Sequence, residues 1–440
     1  MNLTEELKKQ ITDNFSRFES TLNGSKESSF HHLRKAAYRN LGQMEFPDTK
    51  MEEWRFTNLS PLLDHNFTLP VDNTDSSNLD ISGFMIEGFD AHILVFVNGK
   101  YSPKLSRIDT LPKGSIIDNI GELINSRSNL VSGHFSKYAD SGNNIFTCLN
   151  TAFTNDGIFV YIPENKTLDK PLYVLHIAKA EGKEIIIQPR NLIIAGNNSQ
   201  FTVVENFVSV DDGVYFTNAV TEVICGERSV VEHIKLQNES DSSYHISTLQ
   251  TAIEGKAKFS SCNISLGSLI CRNNINVVFN GQYAESALNG LYLTHNSQLI
   301  DNHTSIEHAV PNCASNELYK GVLDDTSRAV FNGKVIVRPD AQKTNAFQQN
   351  RTILLSDSAL INTTPQLEIY ADDVKCSHGA AIGRLDEDSL FYLRARGIGY
   401  DQAKTILIYA FASDVIRSIK NDALKNYFGK LLAERLMNKL

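Results

Sequence analysis

The chain has 440 residues, 41% hydrophobic and 21% charged, values ordinary for a soluble surface around a sizeable core. Lys and Arg number 42 against 51 Asp and Glu, and a net charge of −9 argues against binding nucleic acid or an anionic membrane. No apolar run approaches the roughly 18–20 residues of a membrane span, and Asn2-Leu3-Thr4-Glu5-Glu6 lacks the start of a secretory signal, so a cytoplasmic protein is expected.

The first sixty residues read as helix. Leu3, Leu7, Ile11, Phe15, Phe18 and Leu22 recur at steps of three and four, which places them on one stripe. Gly24 ends that pattern, and Ser28-Ser29 can cap a second helix carrying Phe30, Leu33, Ala37 and Leu41. His31 and His32 diverge by about 100° on that helix and are expected to be solvated. Pro47 breaks it. Trp54, the single tryptophan, is expected to be a packing anchor. A polar stretch from Asp64 to Asp90 reads as a connector, so residues 1–88 form a helical domain with its linker.

From His92 the character changes. Short runs of β-branched and apolar residues recur every 10 to 15 positions or so. Examples are Ile93–Val97, Ile158–Ile162, Leu172–His176, Phe201–Val204, Val230–Ile234, Ile275–Phe279 and Leu367–Tyr370. So many strands suit a sandwich, a barrel or a parallel solenoid. In this stretch the Asn-Gly pairs next to apolar residues are Asn98-Gly99, Asn280-Gly281, Asn289-Gly290 and Asn332-Gly333, and their scarcity favours the solenoid. Its corners are expected to use Asn or Gly in the left-handed conformation. The β core is bounded at 89–385.

Residues 386–440 return to helix. Asp386 can cap a segment from Glu387 to Arg396, which Gly397-Ile398-Gly399 stops. A second helix from near Asp401 and a third from about Asp422 follow. Helices at both chain ends are expected to cap the solenoid or to dock a partner. An apolar set of Ile406, Leu407, Phe411, Val415, Leu431, Leu432 and Leu436 exceeds what a cap requires.

Catalytic motifs are scarce. None of the five Gly-Lys pairs is followed by Ser or Thr, so no phosphate loop is encoded, and no G-x-S-x-G or H-E-x-x-H exists. Cysteines 148, 225, 262, 271, 313 and 376 form no closely spaced pair, which excludes zinc ribbons and ferredoxin-type clusters and fits a reducing compartment. The first five read as core thiols. His303 and His308, five apart, face opposite sides of a strand and read as hydrogen-bonded structural histidines. Cys376 and His378 differ: on one strand they share a face with Cα atoms roughly 7 Å apart. A thiolate beside an imidazole suits Zn, Cu or Fe–S chemistry, whereas a buried structural cysteine next to a surface histidine is the plainer alternative.

Several motifs carry a resemblance. They are Asn302-His303-Thr304, Tyr319-Lys320-Gly321, Phe331-Asn332-Gly333-Lys334, Gln342-Lys343-Thr344, Gln349-Asn350, Leu354-Leu355-Ser356-Asp357, Pro365-Gln366-Leu367-Glu368-Ile369 and Asp372 through Gly379. Together they resemble the core of the SufB/SufD family of the SUF iron–sulfur cluster assembly machinery. Glu52-Glu53-Trp54-Arg55-Phe56-Thr57 is similar to the N-terminal signature of its SufD branch. The resemblance implies a mainly β protein: a right-handed parallel β-helix flanked by N-terminal and C-terminal α-helical domains. Where SufB-like chains carry a cluster-associated cysteine this chain has Asn350, and where they carry a His-Glu pair it has His378-Gly379. The SufD branch is therefore implied.

That branch implies a heterodimer with SufB through the β-helices, a SufC ATPase bound by the C-terminal helices, and a homodimer as a possibility for the isolated chain. A transient Fe–S cluster would form at the SufB–SufD interface with His378 as ligand and Cys376 as second candidate, both tentatively on iron. No tightly bound cofactor and no catalysis by this chain alone are expected. Two rival readings fit less well. A SufB-type primary scaffold is disfavoured by Asn350. A β-helix carbohydrate-active enzyme wants clustered carboxylates on one face, and Asp372-Asp373 are adjacent and diverge.

Overall fold

A computed structural model describes residues 5–22, 29–70, 79–126, 131–139 and 141–437. Leu3, Gly24, Ser28 and the side chain of Leu7 lie outside the described residues. Two N-terminal helices, Glu5–Thr21 and Ser29–Leu41, bury Phe15, Phe18, Phe30, Ala37 and Leu41, as their spacing predicts. The expectation for His31 fails. It is fully buried, with Nε2 2.9 Å from Glu19 Oε1, because the two helices meet across it; His32 is exposed.

The β core is a parallel solenoid of about eight turns whose strands alternate between two sheets. In one sheet Gln200, Val230, Lys258, Glu285, Ala314, Asn345 and Lys375 stand in register, so a turn takes 27 to 31 residues. That variable length hides the repeat from a search for a fixed period. Alternation puts every second side chain into the lumen between the sheets, and an apolar cluster including Phe201, Val231, Phe259, Ile275, Ile306 and Phe331 fills much of it.

The corners bear out the expectation of Asn or Gly only in part, since Asn shares them with Arg, Lys and Tyr. Asn165, Asn198, Arg228, Lys256, Tyr283, Asn312 and Lys343 form a column with φ between 56° and 63°. An L-residue in this region costs roughly 1–2 kcal/mol. The chain offsets it by stacking: the Asn198, Arg228 and Lys256 amides donate to Glu227, Gly255 and Gln282 carbonyls at 2.8, 2.9 and 2.9 Å. Of the four Asn-Gly pairs, Asn98-Gly99 turns an antiparallel hairpin between His92–Val97 and Lys100–Tyr101. Gly290 and Gly333 instead lie inside strands. Gly290 and Tyr319 are register partners, as are Tyr292 and Gly321, and each tyrosine ring occupies the space a Cβ would need.

Helices Ile120–Ser126 and Ile145–Ala152 were not expected. All eight residues of the second are buried, and its polar stripe of Thr147, Asn150 and Thr151 is turned inward, Asn150 Nδ2 donating to the Pro189 and Asn218 carbonyls. Its N-terminus is capped by Asn144, whose side chain accepts from the Phe146 and Thr147 amides.

The terminal helices do not cap the solenoid. The N-terminal pair packs on the outer face of one sheet, with Phe15 and Phe18 in one cluster with Phe216, Ile246 and Ile270. The C-terminal helices Tyr400–Ile416 and Asp422–Met437 pack on the other, burying Ile408, Val415, Phe428 and Leu432 with Val204, Leu236, Ile264 and Leu291. Each sheet has an apolar outer face to cover, and that need outweighs the open end. The last strands, Leu360–Ile369 and Lys375–Gly383, stay at the sheet edges.

Candidate functional site

The final strand Lys375–Gly383 pairs on one side with Asn345–Leu354, Ala346 opposite Cys376 and Gln348 opposite His378. Both residues therefore continue lumen-facing columns. The column of His378 runs through Val203, His233, Ser261, Leu288, Glu317 and Gln348. The structure places Cys376 and His378 on the same face of one edge strand, as their spacing requires.

Their surroundings differ. Cys376 is half-buried against Val335, Val337, Ala346 and Ala371, and burial pushes its thiol up, partly offset by a hydrogen bond to the Ala346 backbone. His378 is exposed, and a Cβ on neighbouring Gly379 would meet nothing within 4 Å. Among the described residues no group of three or more His, Cys, Asp or Glu is arranged to hold a metal ion. Two donors alone cannot complete a tetrahedral site.

Asn350 lies deeper. It is buried in the lumen, its Nδ2 donating to Thr363 Oγ1 at 3.1 Å and its Oδ1 3.4 Å from the Tyr292 hydroxyl. The other candidates are structural. His303 Nε2 sits 3.0 Å from Asp301 Oδ1 on the outer face, and His308 Nε2 sits 2.9 Å from Ser315 Oγ in the lumen. Cys148, Cys225, Cys262, Cys271 and Cys313 are buried; burial pushes the thiols of Cys262 and Cys271 up to about 12 and those of Cys225 and Cys313 upward as well.

Sequence reasoning missed the polar interior. Burial alone would raise Glu205, but His176 and His233, 3.6 and 2.6 Å away, bring it well below the usual carboxylate range. Lys235 Nζ contacts His245 Nε2, Ser247 Oγ and Asn273 Oδ1 at 2.8, 2.6 and 2.9 Å beside a 20 Å³ cavity, and burial lowers its pKa. Glu317 is held by Gln348 Nε2 at 2.7 Å; burial raises its carboxyl to about 7. The available signal was polar residues at alternate positions of otherwise apolar strands.

The early motif also gains a place. Arg272 lies 3.7 Å over the Trp54 ring and donates to the Glu53 carbonyl and Asp301, while Thr57 donates to the same carboxylate. The Glu52–Thr57 segment is thereby tied to the strand bearing Asn302-His303.

Residues 5–174 match the family described as "SufBD protein N-terminal region", and residues 176–411 match "SUF system FeS cluster assembly, SufBD core domain". An iron–sulfur cluster assembly SufBD family protein of Synechocystis is 33% identical over 412 residues, covering 91% of this chain and 90% of that one. The iron–sulfur cluster assembly protein SufD of Escherichia coli is 30% identical over 420 residues, 92% and 96% of the two chains. SufD of Bacillus subtilis is 28% identical over 407 residues, 89% and 90% of the two.

Proposed function

The chain belongs to the SufBD family of SUF-system iron–sulfur cluster assembly proteins, and from that premise we propose that it is the SufD-type partner of a SufB-type chain and of the SufC ATPase. The observation that carries this reading is the uncovered last strand, which presents Cys376 and His378 together with no third donor among the described residues. The cluster is cargo in this reading. A scaffold that must release its cargo is better served by donors divided between two chains than by a closed site, because separation of the chains then weakens every bond at once. His378 supplies one ligand and Cys376 is the second candidate. The exposed edge strand gives a SufB-type chain a backbone to pair with. The SufB-type reading finds no thiol at Asn350.

The test is His378→Ala in the full assembly. An exposed ligand can be removed without stranding buried partners. The variant should keep its melting temperature and its co-purification with SufB and SufC, yet the complex should lose the visible absorption and bound iron of a newly assembled cluster. Undiminished cluster formation would overturn the assignment of His378. Failure to assemble with SufB would return the residue to a structural role.

A further inference from the structure

Three carboxylates in the solenoid interior can be compared. Glu205 has His176 and His233 beside it, and Glu239 has His245 at 2.6 Å. Glu317 has no such neighbour. Its own strand contributes Tyr319 to the lumen, whose hydroxyl burial keeps neutral. The strand before it in the sheet, Glu285–Thr294, contributes Tyr292, and the strand after it, Asn345–Leu354, contributes no titratable group. From the facing sheet, Leu299–His308 contributes His308, lowered by burial to about 4 and so uncharged at neutral pH, and Arg328–Val337 contributes none.

The carboxyl instead meets an amide. Gln348 Nε2 donates to Glu317 Oε2, and the same amide reaches across the lumen to the opposite sheet, where a Cβ on Gly333 would stand 2.2 Å from Nε2. Glu317 Oε1 and Gln348 Oε1 are both buried without a close hydrogen bond among the described residues, and the Thr304 hydroxyl of the facing sheet, itself unpaired, is the other group that lowers the Glu317 carboxyl against burial. Beyond this layer lies only the edge strand Lys375–Gly383, half-buried at Cys376 and exposed elsewhere.

We propose that Glu317 and Gln348 form a proton-linked latch that keeps the last turn of the solenoid closed while Glu317 holds its proton and loosens the edge strand when the proton leaves. An ionised carboxylate here has no cation to pair with and must recruit water. The shortest way for water to reach it is through the Gln348 layer, by displacement of a strand held on one side only. The latch is independent of cluster ligation: it makes the mobility of the site strand depend on pH whether or not His378 binds iron.

Hydrogen exchange of the Lys375–Gly383 amides in the full chain tests it, after correction for the intrinsic effect of pH on exchange. With the Glu317 carboxyl at about 7 when closed and near 4.5 when open, opening should rise roughly 30-fold between about pH 5.5 and 8.5. Glu317→Gln, the isostere of the protonated acid, should abolish that rise. Gln348→Met, which removes the donor to the ionised form, should keep it and move its midpoint to higher pH. Equal pH dependence in wild type and Glu317→Gln would overturn the latch, as would an unchanged midpoint in Gln348→Met.

Discussion

Asp301 joins three stretches of chain that are distant in sequence. Its carboxylate accepts from Arg272 and Thr57, both at 2.6 Å, and lies 3.0 Å from His303. Burial would raise it, yet Arg272 and His303 hold it at about 2. Asp301→Asn leaves the Arg272 guanidinium buried with only neutral partners, and breaking a buried pair in this way costs about 3–5 kcal/mol. The denaturant midpoint should fall accordingly. Trp54, the single tryptophan, lies under that guanidinium, so its emission should shift to the red in native buffer as the Glu52–Thr57 segment loosens. Wild-type stability with an unshifted spectrum would show that the pair carries little. None of this was legible beforehand. The sequence marks Trp54 as an anchor, but its partner is 218 positions away and becomes a neighbour only when the solenoid stacks.

At the scale of elements, what the sequence disclosed depended on periodicity. The N-terminal helices and the Asp386-capped helix are amphipathic or capped, and they lie where their patterns put them. Strands with β-branched runs and few tight turns pointed to a solenoid, and Cys376 and His378 could be placed on one face from a period of two. Corners built on Arg228, Lys256, Tyr283 and Lys343 were not readable, because these residues reach the left-handed region only with help from the next turn. The destination of the C-terminal helices was equally hidden. Of the residues expected to dock SufC, Val415, Leu432 and Leu436 are spent on the solenoid, and Phe411 is half-buried with its carbonyl accepting from Lys320. Of that set Ile406 stays exposed, and most of the other apolar surface left over is elsewhere: Phe391 and Tyr392 are 74% and 57% exposed, and Tyr400 and Tyr409 are exposed as well. Helix Glu387–Ala395 buries no residue, which is unusual for a helix without a covering partner. Deleting residues 386–440 would strip a sheet face as well as a docking surface, so point changes are the better experiment. Phe391→Ser with Tyr392→Ser should cut SufC co-purification at least tenfold while leaving the melting temperature within a degree or two, since exposed sites seldom alter stability by more than about 0.5 kcal/mol. Undiminished SufC binding would move the ATPase to another surface.

Across the whole molecule, opposing protons balance within one stretch of lumen. His308 is buried as the neutral base, lowered to about 4 from 6.5, so its contribution is complete above pH 6.5 and is lost as pH falls through 4. Glu317 is buried as the neutral acid, raised to about 7 from 4.5, so its contribution is complete below pH 4.5 and is lost as pH rises through 7. Each spans a shift worth about 3 kcal/mol, with opposite sign over nearly the same window. The pair should therefore add almost no slope of its own to unfolding stability between about pH 4.5 and 6.5, where His31, His92, His134 and His245, each lowered by burial, make the wild type gain stability as pH rises. Removing one member exposes the other. Urea denaturation of Glu317→Gln should gain roughly 2–3 kcal/mol more than the wild type as pH rises across that window, because the variant lacks the falling contribution of Glu317. Below pH 4.5 the balance ends: the Glu317 contribution is complete, His308 is still losing its own, Glu205 and Glu239 begin to lose theirs, and Asp301 joins them below 3.8. Acid unfolding should then be steep in both proteins. A slope in Glu317→Gln no steeper than that of the wild type would mean that Glu317 carries no such contribution. Matching matters for a solenoid with an uncovered end, because the last turn can respond to a proton locally only if the remaining turns do not move with it.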